Sequence, residues 1–485
     1  MTAYLQLLPE VLLLIGALVA LFAELLPGED RTAALLGALL AIGAALVAAM
    51  GSVGGELFGG LLLFDASARF VRVAVAALTA LWLLWFSGRA IPGERGREAT
   101  SLALFSAIGG VLLAASADLI TLYMALELST MPAYVLMGYR RGDVRGLEGA
   151  LKYFLLSLLT SLIMLYGLSF LYGLSGTTSF AGIASALPGA GTLGLVAAVL
   201  ALVGIFAKLS AAPFHFWAPD AYAGAPAASV AFVSTVPKVA GAAVLVRLST
   251  MMSGVSHLAL VVAIVAAASM VLGNLAALTQ SDTRRLMAYS GVAHTGYQLI
   301  GIAAGLSATG ASLAVAHAAV LLYALAYAVP SMAVMFVVAE EGDAIADLSR
   351  LADRRPWAAW GIVVWLLSLV GIPPLAGFFG KLYLFSSGLD ADLAWLVVVA
   401  VVVSVVSAGY YFRIVRSAFF GTPAEETAAD DASDADTAAD TAVSGTAAAS
   451  VALASSAALA LAVVATVAIG LAAGPLLNAL GLTVG

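Results

Sequence analysis

The chain has 485 residues, of which 63% are hydrophobic and only 10% charged. A soluble domain is roughly a quarter charged, so the main solvent of this chain is lipid. There is no cysteine, which excludes thiolate-held iron–sulfur clusters, Cys-ligated zinc and disulfides. The formal net charge of −7 comes from seven acids in one stretch, Glu425, Glu426, Asp430, Asp431, Asp434, Asp436 and Asp440; without them acids and bases balance at 21 each.

An apolar run of about 20 residues crosses the hydrocarbon core. In chain order such runs fall at Ala3–Leu26, Ala33–Met50, Phe70–Phe86, Thr100–Ala115, Asp118–Gly138, Leu147–Leu174 and Leu193–Trp217. They continue at Ala227–Leu248, His257–Leu278, Leu286–Leu306, Ser312–Ala339, Trp357–Phe385, Leu393–Phe412 and Ser450–Leu482. The fourth and fifth are separated at Ser116–Ala117–Asp118, because one helix of their combined length would rise almost 60 Å at about 1.5 Å per residue. No Lys or Arg precedes Arg31, so the first span is expected to stay in place rather than act as a cleaved signal. The pattern predicts an all-α polytopic membrane protein of about 14 transmembrane helices. It divides into three N-terminal helices (1–100), a first helix group (101–250), a second (251–420), an acidic disordered loop (421–449) and a last helix (450–485). The loop reads as a solvated linker, or as an adaptation to a salty cytoplasm.

Arginine sets the orientation. Odd-numbered loops and their flanks hold Arg31, Arg89, Arg95, Arg97, Arg140, Arg141, Arg145, Arg284, Arg285, Arg350, Arg354, Arg355, Arg413 and Arg416, fourteen in all. Even-numbered loops have three, Arg69, Arg72 and Arg247. The positive-inside rule then places the odd loops and the acidic segment in the cytoplasm, with both termini outside.

The four lysines break this pattern. Lys152, Lys208, Lys238 and Lys381 each fall inside a hydrophobic segment, where a lysine costs about 2.5–3.5 kcal/mol on insertion scales. A guanidinium stays charged at any realistic pH, whereas an ammonium stripped of water can give up its proton near neutrality. Confining arginine to the edges and lysine to the interior therefore selects for titratable bases. Lys152 also reads as a residue that snorkels to the cytoplasmic face, lying about 10 Å up its helix from Arg145. Glu127, in LYMALELSTMPAYVL, is the acid placed to pair with Lys208 or Lys152, or else a helix-capping acid; Glu10 and Glu24 lie nearer the ends of their span.

Two spans are interrupted. KLSAAPFHFWAPD carries Pro213 and Pro219 around His215, and GIPPLAGFFGK carries Pro373 and Pro374. Proline removes a backbone donor and clashes with the preceding turn. Non-helical backbone at membrane depth persists only where it is buried in protein or lines a wet cavity. Interrupted helices in both halves of a chain point to an ion pathway. Lys208 lies five residues before Pro213 and Lys381 seven after Pro374. His215, His294 and His317 are candidates for proton relay or for satisfied packing residues, and His257 for an inert loop position. No spacing suggests a metal site, and no pattern suggests a nucleotide or nucleic-acid surface.

Three stretches, KLSAAPFHFWAPDAYAGAPAASVAFVSTVPKVAG, SDTRRLMAYSGVAHTGYQLIG and GIPPLAGFFGKLYLF, carry a resemblance. They are similar to the signature of the proton-translocating, antiporter-like subunits of respiratory complex I and of multisubunit cation/proton antiporters. PDAYAGAP and LYMALELSTMPAYVLMGYRR look more like the shorter complex I branch than like the branches with a PDAHxEAP-like version. The likeness spans about Leu102 to Phe420. It implies two inverted five-helix repeats, broken helices seven and twelve, and a midplane row of buried charges. On matching positions it makes Glu127 and Lys208 an acid–lysine pair, Lys238 the central relay, Lys381 the lysine of the second half, and Lys152 an accessory member. The family histidines fall at His215 and His294.

The resemblance implies a membrane-arm subunit that moves protons outward without a cofactor of its own. Quinone, FMN or iron–sulfur clusters would sit on partner subunits. The partners would be other antiporter-like and small hydrophobic membrane-arm subunits, with no nucleic acid. The alternatives are a stand-alone sodium/proton antiporter subunit and a passive scaffold. Pro237, directly before Lys238, departs from the family pattern and is expected to loosen its helix, and the acidic insert is a second departure.

Overall fold

The computed structural model describes residues 2–22, 29–51, 54–89, 96–140, 142–421 and 445–480. Glu24, Arg95, Arg141 and the seven acids of the insert lie outside the described residues. The chain is nearly all helical. The first helices are α1 (Leu8–Leu21), α2 (Glu29–Met50) and α3 (Ala66–Ser87), with a two-stranded antiparallel ribbon, β1 (Glu56–Leu57) and β2 (Leu62–Leu63), between α2 and α3. Next come α4 (Gly96–Ala115), α5 (Leu119–Met137), α6 (Val144–Ser175), α7 (Phe180–Ala186), α8 (Gly191–Lys208), α9 (Trp217–Gly224), α10 (Ala227–Val233) and α11 (Val236–Met251). The rest comprises α12 (Leu258–Ala277), α13 (Thr283–Ser307), α14 (Gly310–Glu341), α15 (Leu351–Arg354), α16 (Pro356–Val370), α17 (Ala376–Asp390), α18 (Ala394–Phe420), α19 (Gly445–Leu471) and α20 (Ala473–Ala479). α19 begins inside the stretch expected to be loop.

Among the described residues, 12 helical segments are long and apolar enough to cross a membrane, counting α10 and α11 as one. The other two expected crossings fall on α13 and on the pair α16–α17. α13 is too polar to qualify, holding His294, Thr295 and Gln298 between its arginines and its C-terminus. It has no need to be apolar, because every residue from Ser290 to Gly305 is buried against protein.

Four of the helices start on an aspartate cap. Asp65, Asp118, Asp143 and Asp282 each accept a hydrogen bond from a first-turn amide of α3, α5, α6 and α13 respectively, the usual N-cap arrangement. One local arrangement occurs twice, 164 residues apart. Gly109 of α4 packs so close to α5 that a Cβ would lie 2.2 Å from Ser129 N, and Gly273 of α12 so close to α13 that a Cβ would lie 2.5 Å from Ala293 N. Asp118 then bridges to Ser179 beyond α6, as Asp282 bridges to Ala344 beyond α14. α4 and α12 are both 20 residues long, and α6 and α14 both 32.

Candidate functional site

The expected interruptions are present. α8 ends on Lys208, the chain turns through Ser210 in a left-handed conformation (φ 63), and helix resumes at Trp217. The freed backbone groups are satisfied by the other half of the molecule: Ala212 N donates to Ser269 Oγ at 2.9 Å, and Thr295 Oγ1 donates to Leu209 O at 2.6 Å. α16 ends at Val370 and is capped by Gly371 at φ 97, a conformation that favours glycine. Helix resumes at Ala376.

The second interruption builds a cation site. The last carbonyls of a helix have no intrahelical partner and carry the negative end of its dipole. Lys381, 5% exposed, returns from α17 to them: Nζ donates to Leu369 O at 3.1 Å, Val370 O at 2.8 Å and Ser404 Oγ at 2.7 Å. The ring of Tyr297 lies 4.7 Å from the same ammonium.

In the first half the expected Glu127–Lys208 ion pair is not a direct contact; no such pair lies within 4.0 Å among the described residues. Lys208, 8% exposed, donates to Tyr134 Oη, and its ammonium lies 4.7 Å from that ring. Glu127 Oε1 accepts from Ser161 Oγ at 2.9 Å. Tyr134 stands two turns along α5 from Glu127 and takes the ammonium, so the acid acts on Lys208 through space.

Lys238 is the least satisfied of the set. At 4% exposure its Nζ has no hydrogen-bond partner among the described residues, and the rings of Tyr222 and Tyr327 are each 6.0 Å away. A Cβ on Gly291 would stand 2.9 Å from both Lys238 Nζ and Tyr327 Oη, so that glycine keeps the space around the amine open. Pro237 does not loosen a continuous helix here. The expected span is split at Ser234–Thr235, and Pro237 lies in the first turn of α11, where its missing N–H has no helical partner to lose.

His294 connects the two halves. Its Nδ1 is 2.7 Å from Tyr323 Oη and its Nε2 3.2 Å from Tyr411 Oη, which is 2.5 Å from Ser290 Oγ. Its ring centroid lies 4.7 Å from that of Tyr327, beside Lys238, and both Lys238 and Lys381 act on it electrostatically. Tyr410 Oη donates to Asn274 Oδ1 at 3.1 Å, and Asn274 Nδ2 is 3.4 Å from Tyr297 Oη. These tyrosines escaped the sequence reading, since a tyrosine in an apolar run looks like packing. One signal was present: Ser290, His294 and Tyr297 recur at i, i+4 and i+7, which puts them on one face of α13.

The remaining candidates are placed differently. Lys152 is 43% exposed and ion-paired with Glu148 at 2.8 Å and Asp220 at 3.2 Å, and Asp220 also meets Arg285 at 3.4 Å. His215 is buried in the first interruption, its Nδ1 without a hydrogen-bond partner among the described residues. His317 meets Ser249 Oγ at 2.7 Å. Glu10 forms a buried pair with Arg72 at 2.6 Å. Among the described residues no group of three His, Asp or Glu side chains is placed to hold a metal ion.

A row of buried amines, each beside a tyrosine hydroxyl or ring, can pass charge without holding a cofactor. Residues 116–407, which include Glu127, Lys208, Lys238, His294 and Lys381, match the family described as NADH:quinone oxidoreductase/Mrp antiporter, TM. The chain is 39% identical over 430 residues to NADH-quinone oxidoreductase subunit N 1 of Acidiphilium cryptum (strain JF-5), covering 87% of this chain and 89% of that protein. It is 30% identical to a chain of respiratory complex I from Thermus thermophilus with bound aureothin, with a TM-score of 0.77 over 97% of this chain and 99% of that one. A chain of the Mrp complex from Dietzia sp. DQ12-45-1b superposes with a TM-score of 0.82 at 24% identity, covering 99% and 96%, a likeness of fold alone.

Proposed function

The chain belongs to the NADH-quinone oxidoreductase subunit N family within the NADH:quinone oxidoreductase/Mrp antiporter membrane proteins, and from that premise we propose that it is a membrane-arm subunit of a complex I-type enzyme that carries protons outward. The observation that carries this reading is the succession of buried groups from Lys238 past Tyr327 to His294, and from His294 past Tyr297 to Lys381. Quinone, FMN and iron–sulfur clusters belong to partner subunits; this chain has no cysteine to hold a cluster. Other membrane-arm subunits are its neighbours.

Quinone reduction on the partners perturbs the charge balance near Glu127. That acid acts on Lys208, and Lys208 in turn biases the proton affinity of Lys238, because charges couple strongly where water is scarce. Lys238 has no hydrogen-bond partner among the described residues to hold it in one state. Its proton passes by way of His294 to Lys381, whose three acceptors hold the ammonium until release. Water at His215 serves entry from the cytoplasmic side, and Lys152 is an accessory at that face. The twice-used Gly–Asp arrangement supports reading 101–250 and 251–420 as two repeats. Their five-crossing spacing makes them inverted, within fourteen crossings, with both termini outside.

The test is Lys238→Met in the assembled complex. Quinone reduction that continues to pump protons at the wild-type ratio overturns the relay. A stand-alone sodium/proton antiporter subunit is the second reading, favoured by the fold likeness to the Mrp chain. Affinity purification that recovers iron–sulfur and quinone-binding subunits decides for complex I, and recovery of antiporter subunits alone decides against it.

A further inference from the structure

Arg69, Arg72 and Arg247 are the three arginines at the span ends opposite the arginine-rich loops. Two have carboxylate partners inside the chain: Arg72 pairs with Glu10 at 2.6 Å and Arg247 with Asp65 at 3.1 Å. Arg69, partly buried in the first turn of α3, makes no side-chain hydrogen bond or ion pair among the described residues. A guanidinium at a span end that meets no carboxylate of its own chain is available to an anion at the membrane surface.

The surroundings of Arg69 define that anion. Its side chain lines two cavities at once. One, of about 250 Å³, also holds Arg72 and Gln6, whose Oε1 is buried without a hydrogen-bond partner among the described residues. The other, of about 670 Å³, is a furrow in which Arg69 is the only charged lining residue among those described. It follows α3 from Ala66 to Leu84 and is walled by α2 at Leu46, α14 at Leu325 and α19 at Ile469. Eighteen residues of helix rise about 27 Å, against a hydrocarbon core of about 30 Å. The acyl chain of one leaflet, half that depth, fits inside it.

We propose that a phospholipid occupies this furrow, with its phosphate on Arg69 at the mouth of the polar chamber and one acyl chain lying along α3. A guanidinium fork matches phosphate oxygens in a bidentate manner, and basic recesses between membrane helices are suited to lipid head groups. The lipid completes the wall between the first three helices and α14–α19.

Native mass spectrometry of the detergent-washed complex tests this. The wild-type subunit retains one phospholipid that Arg69→Gln loses, with occupancy falling by about tenfold for the lost charge-assisted contact. Ala77→Phe, which fills the furrow, loses the lipid too, and Ala77→Val serves if the larger residue prevents assembly. Equal retention in wild type and Arg69→Gln overturns the proposal, as does recovery of a quinone in place of the phospholipid. Because the chain has no native cysteine, Leu46→Cys and Ala77→Cys give clean cross-linking sites, and cross-links from them to a partner subunit's helix overturn it as well.

Discussion

Lys381 closes the gap in its own broken helix: from α17 its Nζ donates back across the interruption to Val370 O, eleven residues earlier, at 2.8 Å. The interruption is thus a binding site for the amine that follows it, since only a helix end offers carbonyls free to accept. Lys381→Met leaves those carbonyls and Ser404 Oγ without the ammonium. The expected result is an assembled complex whose protons pumped per quinone reduced fall at least about tenfold, measured in inverted vesicles. Ser404→Ala keeps two of three acceptors and costs less, on the order of 1–2 kcal/mol of ammonium stabilisation, seen as a partial loss in the same assay.

Lys238 depends on open space rather than on a partner. Gly291→Ala puts a methyl group 2.9 Å from both Lys238 Nζ and Tyr327 Oη, and overpacking of that kind costs about 1–3 kcal/mol. Pumping is expected to slow markedly while quinone reduction by the detergent-solubilised complex is retained. Unchanged pumping in Gly291→Ala would show that the amine does not need this room.

The tyrosines around His294 act as a unit. Tyr411→Phe removes the hydroxyl that meets both His294 and Ser290, and Tyr323→Phe removes the one on Nδ1. Each single change is expected to slow proton transfer several-fold, on the scale of about 1 kcal/mol for one hydrogen bond. The double variant should be less than additive, because both act through one imidazole. Strict additivity in a double-mutant cycle would separate the tyrosines from His294.

Lys152 should behave unlike the buried three. It is half-exposed and sits in an ion-pair cluster with Glu148, Asp220 and, through Asp220, Arg285. Exposed pairs of this type contribute little. Lys152→Ala is therefore expected to change the pumping rate by less than about twofold, and a loss as deep as that of Lys238→Met would make it a full member of the relay.

The Glu10–Arg72 pair predicts an effect on stability instead of transport. Both side chains are buried, and Arg72 also donates to Gln6 O at 2.5 Å. Removing one partner, as in Arg72→Ala, strands the other charge and costs about 3–5 kcal/mol. Replacing both with apolar residues of similar size, Glu10→Leu with Arg72→Met, should recover most of that. Thermal unfolding of the purified subunit in detergent reads the difference.

The amino-acid sequence by itself determined that this is a polytopic membrane chain, that prolines interrupt two of its spans, and that its four lysines fall inside apolar segments. Each follows from local chemistry: hydropathy over a helix length, the missing N–H of proline, and the high cost of a lysine in oil. Helical periodicity tells which residues share a face, as with Ser290, His294 and Tyr297, but not which neighbouring helix that face meets. Only the tertiary structure decided that Lys208 meets Tyr134 while Glu127 meets Ser161, that Lys152 stays among surface ions, and that Lys238 Nζ has no hydrogen-bond partner among the described residues. It also decided that Lys381 is held by carbonyls of the preceding helix. Those outcomes depend on angstrom-scale approaches between separate segments, 74 residues apart for Tyr134 and Lys208 and 68 for Lys152 and Asp220, and no local pattern in the chain encodes such distances.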